Sequence, residues 1–247
     1  LGHVYTQIKT ELAYDSNSGS EDEAERVRSR LRSYAEQCVF GSDVEQLLVR
    51  ASQMNMVMAG DGRGHIYRID SLEFPRGDFE ALPEAMKHLG DGTFDIVVTN
   101  PPFGSKVPIT DPGILNRYEL AQEWRREPDG SYRNTGRIKG SVNPEILFIE
   151  RCIRWLKPGT GRMAIALPNA ILSTASDEYI RWWILCQCRV LASVDLPMET
   201  FIPEAEVNIL TSVLFLRRRS QAEQLAIAQG ANPGETVFMA VAEKVGY

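Results

Sequence analysis

The sequence predicts an α/β domain built on a doubly wound, mainly parallel sheet. Three observations carry that prediction. Short apolar runs alternate with stretches of helical periodicity, small polar residues stand where the apolar runs end, and a 247-residue chain that is 43% hydrophobic can bury one large core.

An opening helix covers about residues 1 to 13, and Asp15-Ser16-Asn17-Ser18-Gly19-Ser20 reads as a solvated linker into a charged helix ending near Glu36. Cys38-Val39-Phe40-Gly41 is a short strand followed by Ser42-Asp43. Helical periodicity returns from Val44 to Met58, with Leu47, Leu48, Ala51 and Met54 on one apolar face. The unit repeats: His65 to Ile69 is a strand ending in Asp70, Phe79 to Leu89 a helix, and Phe94 to Val98 a buried strand ending at Asn100. Pro144 to Leu156 is an amphipathic helix stopped by Lys157-Pro158-Gly159, and Arg162 to Leu167 is a strand ended by Pro168-Asn169. Ser176 to Cys186 is a helix, and Val190 to Leu196 and Val207 to Leu216 are the closing strands. Arg217-Arg218-Arg219 then mark an exit to the surface. Residues 1–220 form the domain, with an inserted loop at 104–143. Residues 221–247, which include a strand-like Thr236 to Val241, are a C-terminal extension or the start of a further domain.

Composition narrows the function classes. No apolar run approaches the roughly 18 residues that span a bilayer, and Leu1-Gly2-His3 lacks the profile of a signal peptide, which points to the cytoplasm. Cys38, Cys152, Cys186 and Cys188 show neither metal-ligand spacing nor a disulfide framework and read as reduced, mostly buried thiols. His3, His65 and His88 do not cluster with acids or cysteines, so no metal site is expected. A net charge of −6 argues against a surface that binds nucleic acid everywhere, though not against a local basic cleft.

In doubly wound sheets the ligand sits beyond the carboxyl ends of the strands. Those ends carry Asp43, Asp70, Asn100 and Pro168-Asn169. The most informative is Asn100-Pro101-Pro102-Phe103, directly after a buried strand, where two prolines fix φ and stiffen the loop. The Asn100 side-chain oxygen and the Pro101 carbonyl can accept both hydrogens of one amine, and Phe103 offers a face for stacking an extruded base.

Phe94 to Phe103, Ile146 to Cys152 with Leu156-Lys157-Pro158-Gly159, Gly161 to Asn169, Val194-Asp195-Leu196-Pro197 with Phe201, and Thr211 to Leu216 together resemble the N6-adenine DNA methylases, a family that includes the modification subunits of type I restriction systems. The resemblance implies a Rossmann-like methyltransferase fold, S-adenosylmethionine (AdoMet) as cofactor, and double-stranded DNA as partner, possibly with a specificity subunit and a restriction subunit. It places methyl transfer to a flipped-out adenine at Asn100, Pro101, Pro102 and Phe103. It assigns Asp43, with Val44 beside it, to the cofactor's ribose hydroxyls, and Asp70-Ser71-Leu72 to its adenine, with Asn100 also at the cofactor. Glu45 is a substitute for Asp43, because the proline usual soon after the acid is missing. The family's glycine-rich cofactor loop is not found ahead of Asp43, and Leu1-Gly2-His3-Val4-Tyr5 looks like the helix that follows it. The expectation is therefore a truncated catalytic domain without the first strand, which leaves neighbouring strand edges unpaired or paired with each other.

The loop of about 40 residues after Phe103 is longer than ordinary connections. It interleaves Lys106, Arg117, Arg125, Arg126, Arg133, Arg137 and Lys139 with Tyr118, Trp124 and Tyr132, a mixture suited to phosphate contact and base stacking. Five acids dilute it, so a solvated insertion with its own small hairpin stays open beside DNA contact. Two other readings also stay open: an AdoMet-dependent enzyme acting on an RNA or protein amide or amine, and a non-catalytic fragment.

Overall fold

The computed structural model describes residues 2–12, 20–59, 65–104, 107–200 and 209–244. Lys106, Phe201 and the beginning of the strand expected from Val207 lie outside them. The chain divides into two compact units, Leu1–Leu89 and Gly90–Tyr247.

In the first unit, α1 (Gly2–Glu11) is followed by α2 (Glu21–Cys38), whose start is set by a reciprocal capping box. Ser20 N–H donates to Glu23 Oε2 at 2.8 Å and Glu23 N–H to Ser20 Oγ at 3.3 Å. Val27, Leu31 and Ala35, four residues apart, form the buried stripe of α2, and Ile8 joins Val27 and Leu31 in a small core. Next come β1 (Phe40–Asp43), α3 (Gln46–Met58) and β2 (His65–Arg68). The two strands pair in parallel, with Asp43 opposite Arg68. The apolar face expected on α3 is open: Leu47 is 77% and Met54 66% exposed, and Val49 is the helix's buried residue. The helix expected from Phe79 to Leu89 shrinks to α4 (Leu82–Ala85). Pro83 confines the helix start to its own first turn, and the Lys87 and His88 N–H groups bond three residues back, which tightens the remainder into turns.

The second unit is built on a five-stranded sheet of order β3-β6-β8-β7-β9, comprising β3 (Ile96–Thr99), β6 (Arg162–Pro168), β7 (Cys188–Asp195), β8 (Thr211–Arg218) and β9 (Phe238–Val241). β3 and β6 pair in parallel, as do β7 and β9. β8 runs antiparallel to both β6 and β7, so it alone opposes the common direction. The chain is thus α/β with a mainly parallel sheet. Interior β6, between β3 and β8, is buried along most of its length. Ile165 and Leu167 pack with Leu214 and Leu216 of β8, Ile149 and Ile153 of α6 (Pro144–Trp155), and Ile180 and Ile184 of α8 (Glu178–Gln187). α5 (Pro112–Leu115) lies in the insertion, and α7 (Asn169–Ser173) directly follows β6. β3, expected to be a buried strand, is instead an edge of the sheet, and its Ile96 and Val98 are 67% and 76% exposed.

The arginine triplet does not mark a solvated exit. Arg219 is 4% exposed and forms a two-pronged pair with Glu235 at 2.8 and 2.7 Å, while Arg218 donates to the carbonyls of Arg154 and Leu156. Arg217 pairs with Glu223 at the start of α9 (Gln221–Ala228). Arg217 and Arg219 tie the C-terminal segment to the end of β8, and β9 extends the sheet beside β7. All four cysteines are free. Burial pushes the Cys152 and Cys188 thiols up to about 12; of the cysteines expected to be mostly buried, Cys186 is half-buried and Cys38 is exposed. No helix among the described residues is long and apolar enough to cross a membrane.

Candidate active site

Asn100 follows β3 at its carboxyl end, where Thr99 is registered against Ile165 of β6. Pairing on β6 holds the chain up to Thr99, and buried Pro101 anchors the turn while Asn100 and Pro102 stay exposed and Phe103 is half-buried. Gly104 closes the loop with φ +95, a conformation that L side chains rarely adopt, and among the described residues no atom crowds its missing Cβ. Its N–H donates to Glu145 Oε2 at 3.3 Å. Glu145, in the first turn of α6, is 3% exposed, and burial pushes its carboxyl above the usual carboxylate range. Sequence reasoning missed this contact. An acid after Asn143-Pro144 reads as an ordinary helix start.

The same sheet end carries a second polar group. Ser212, at the start of antiparallel β8 and 1% exposed, has its hydroxyl 2.6 Å from Asn169 Oδ1 and hydrogen-bonded to Asp195. Asn169 had been singled out as a strand-end residue; Ser212 becomes a strand-end residue only through the reversed direction of β8.

In the first unit, the carboxyl ends of β1 and β2 bring Asp43, Asp70 and Ser71 together. Ser42 Oγ lies 2.7 Å from Ser71 Oγ and links the two turns. Asp43 Oδ1 accepts from Glu45 N–H at 2.8 Å, and Asp70 Oδ1 accepts from Leu72 N–H at 2.8 Å and Glu73 N–H at 3.3 Å. Each acid therefore braces its own turn with one oxygen. Val44 is 47% exposed beside Asp43, and Leu72 is 2% exposed. The Glu45 backbone serves the Asp43 turn.

The insertion is only partly solvated. Leu115, Tyr118, Leu120 and Ala121 are at most 1% exposed. Buried Glu150 of α6 accepts from Glu119 N–H at 3.0 Å and Leu120 N–H at 2.8 Å and pairs with Arg154, while Arg151 donates to Tyr118 at 2.9 Å. Burial still outweighs Arg154 and holds the Glu150 carboxyl above its ordinary range. Beyond this base, β4 (Gln122–Arg126) and β5 (Tyr132–Ile138) form an antiparallel hairpin that rests Trp124 and Tyr132 on Trp182. Arg125 and Arg133 face each other across the hairpin, and both are exposed. Arg133 pairs with Glu127 at 2.8 Å, Arg137 with Glu123 at 3.5 Å, and Arg126 with Glu178 at 3.7 Å. Lys139 is turned inward, donating to Tyr179 Oη at 2.6 Å with its ammonium 4.1 Å from that ring's centre. Burial lowers its pKa. The Arg117 carbonyl accepts from Arg154 at 2.9 Å.

The chain is thus an α/β protein with a mainly parallel sheet that carries Asn100-Pro101-Pro102-Phe103 at the carboxyl end of β3. The N-6 DNA methylase family model matches residues 6–240, and the chain belongs to that family. Among solved structures, it is similar to a protein assigned as the modification subunit of a type I restriction enzyme from Vibrio vulnificus, with 24% identity, a TM-score of 0.54 and coverage of 81% of this chain and 35% of that one. A protein assigned as a class I S-adenosylmethionine-dependent methyltransferase from Listeria monocytogenes matches with 20% identity, a TM-score of 0.54 and coverage of 90% and 55%. The methyltransferase subunit of a type I restriction-modification system from Streptococcus thermophilus matches with 18% identity, a TM-score of 0.52 and coverage of 78% and 41%. The chain thus spans only about a third to a half of the length of these three structures. No curated protein matches it.

Proposed function

We propose that this chain is part of the catalytic domain of a site-specific DNA adenine N6-methyltransferase, acting on a flipped-out adenine in double-stranded DNA. The observation that carries the reading is Asn100-Pro101-Pro102-Phe103 at the carboxyl end of β3 in a member of the N-6 DNA methylase family. Asn100 Oδ1 and the Pro101 carbonyl accept the two hydrogens of the target amine, which aims the nitrogen lone pair away from both oxygens. The same two oxygens stabilise the positive charge that grows on nitrogen during transfer, and the rigid loop holds them in place beforehand. Phe103 stacks on the extruded base.

AdoMet fits the residues present: it would supply a methyl group activated on a sulfonium sulfur. Asp43 would accept from its ribose hydroxyls and Asp70 from its adenine amine. Each acid uses Oδ1 for its own turn, which leaves Oδ2 as the acceptor among the described residues. Val44 and Ser71 would complete that surface, whereas Leu72 is buried in the core. For DNA, the exposed hairpin face with Arg125 and Arg133, together with Arg137, Arg126 and Arg117, supports phosphate contact. Lys139, engaged with Tyr179, does not. The whole protein is proposed to work in the cytoplasm with a specificity subunit, and with a restriction subunit where cleavage accompanies methylation.

The acceptor is tested by methylating mixed genomic DNA with the complete protein and labelled AdoMet, then digesting to nucleosides. Label in N6-methyladenine supports the reading. Label in a cytosine amine, or only in RNA or protein added as competitor, overturns it.

A further inference from the structure

We propose that Glu145 is a positioning residue that latches the exit of the Asn100–Phe103 loop through the Gly104 N–H, an inference that rests on the catalytic reading of that loop. The loop is held at its entry by strand pairing, since Thr99 is registered against Ile165. Beyond Phe103 the chain leaves the sheet at a glycine with φ +95, and there it meets a side chain from α6: Gly104 N–H to Glu145 Oε2, 3.3 Å. The segment leaving at Gly104 returns at Asn143-Pro144-Glu145, and its two arms are sewn together by Ile109 and Val142, which exchange backbone hydrogen bonds at 2.8 and 3.0 Å. One carboxyl therefore stands where the insertion departs and where it returns.

That placement costs the fold something. A carboxyl 3% exposed in the first turn of a helix loses hydration, and burial raises its pKa accordingly. Packing alone would be served by an apolar side chain of similar volume. The carboxyl also accepts from its own backbone N–H and from the Asn143 side chain, and its part-buried bond from the Gly104 N–H is the one that reaches across to the loop exit; without it that turn loses its tie to α6. Asn100 lies four residues upstream on a loop stiffened by Pro101 and Pro102, so movement at Gly104 is passed along to the Asn100 oxygen rather than absorbed.

The test uses the complete protein with Glu145→Met, which keeps the volume and removes the acceptor, Glu145→Gln, which keeps an acceptor oxygen at the same reach, and Asn100→Ala. Three quantities are measured: kcat for DNA methylation, the dissociation constant for AdoMet, and amide hydrogen exchange of the peptide containing Gly104. The latch predicts that Glu145→Met lowers kcat by roughly 10- to 100-fold, in line with the cost of a small misplacement of catalytic groups. AdoMet affinity stays within about 3-fold, exchange at Gly104 accelerates, and Glu145→Gln restores kcat and protection. Unchanged kcat or unchanged exchange in a folded Glu145→Met protein overturns the proposal, as does failure of Glu145→Gln to restore them. If Asn100→Ala is fully active, the catalytic reading itself fails, and with it the positioning role, whatever the exchange shows. Should Glu145→Met not fold, Glu145→Asp, which withdraws the carboxyl by one methylene, makes the same comparison.

Discussion

Glu223 and Glu145 are both acids in the first turn of a helix, yet their surroundings drive their proton affinities in opposite directions. Glu223 receives two hydrogen bonds from Arg217 and one from the Ser220 N–H, which hold it down at about 2, whereas burial raises Glu145. With the Glu223 carboxyl below its ordinary value of 4.5, the unfolded chain binds the extra proton as pH falls. Its stabilising contribution is therefore present above about 4.5 and lost as pH falls through about 2. Glu223→Gln is expected to flatten that part of the curve, read as the urea midpoint between about pH 5 and about pH 2, with a modest amplitude because the pair is partly solvated. An unchanged slope would remove the pair from the acid response. At this scale the sequence was unevenly legible. Asn100 announced itself because two prolines follow an apolar run with the pattern of a strand, although that strand, β3, is an exposed edge in the structure. Glu145 did not, since its meaning depends on a glycine 41 residues earlier reaching the same place.

Among elements, strands were the more readable. Alternating apolar runs placed β1, β2, β3, β6, β7 and β8 near their observed positions, because a sheet strand must present apolar side chains to packed neighbours. The failures came where tertiary context overrides periodicity. Pro83 cut short the helix expected from Phe79 to Leu89, and of the arginine triplet at the end of β8, Arg217 and buried Arg219 became clamps because Glu223 and Glu235 return to meet them. The insertion looked aperiodic because its ordered base is fastened by α6 rather than by its own pattern. Glu150 supplies that fastening, accepting two backbone N–H groups and pairing with Arg154 at a site where its own exposure is 0%. Glu150→Ala strands those donors and a guanidinium, and is expected to destabilise the second unit by about 3 kcal/mol or more, measured by urea unfolding. A loss under about 1 kcal/mol would mean that water replaces the carboxylate, a cost typical of a neutral exposed bond.

For the whole molecule, a net charge of −6 requires any DNA contact to be local. The outward face of the β4–β5 hairpin is the place where arginines stand exposed opposite one another, and distance in sequence hid that pairing until the register was known. Replacing Arg125 with Ala is expected to weaken DNA binding similarly on all sequences and to reduce the slope of log affinity against log salt by roughly 1. An unchanged slope would take the hairpin off the DNA. The most direct test of the account compares wild type with Asn100→Ala in the complete protein, following labelled methyl transfer to DNA in a single turnover. Because Asn100 is exposed, its loss is expected to leave stability within about 0.5 kcal/mol. The account predicts N6-methyladenine from the wild type and a rate lower by about 100-fold or more in the variant. A folded Asn100→Ala protein that methylates adenine at the wild-type rate would contradict it.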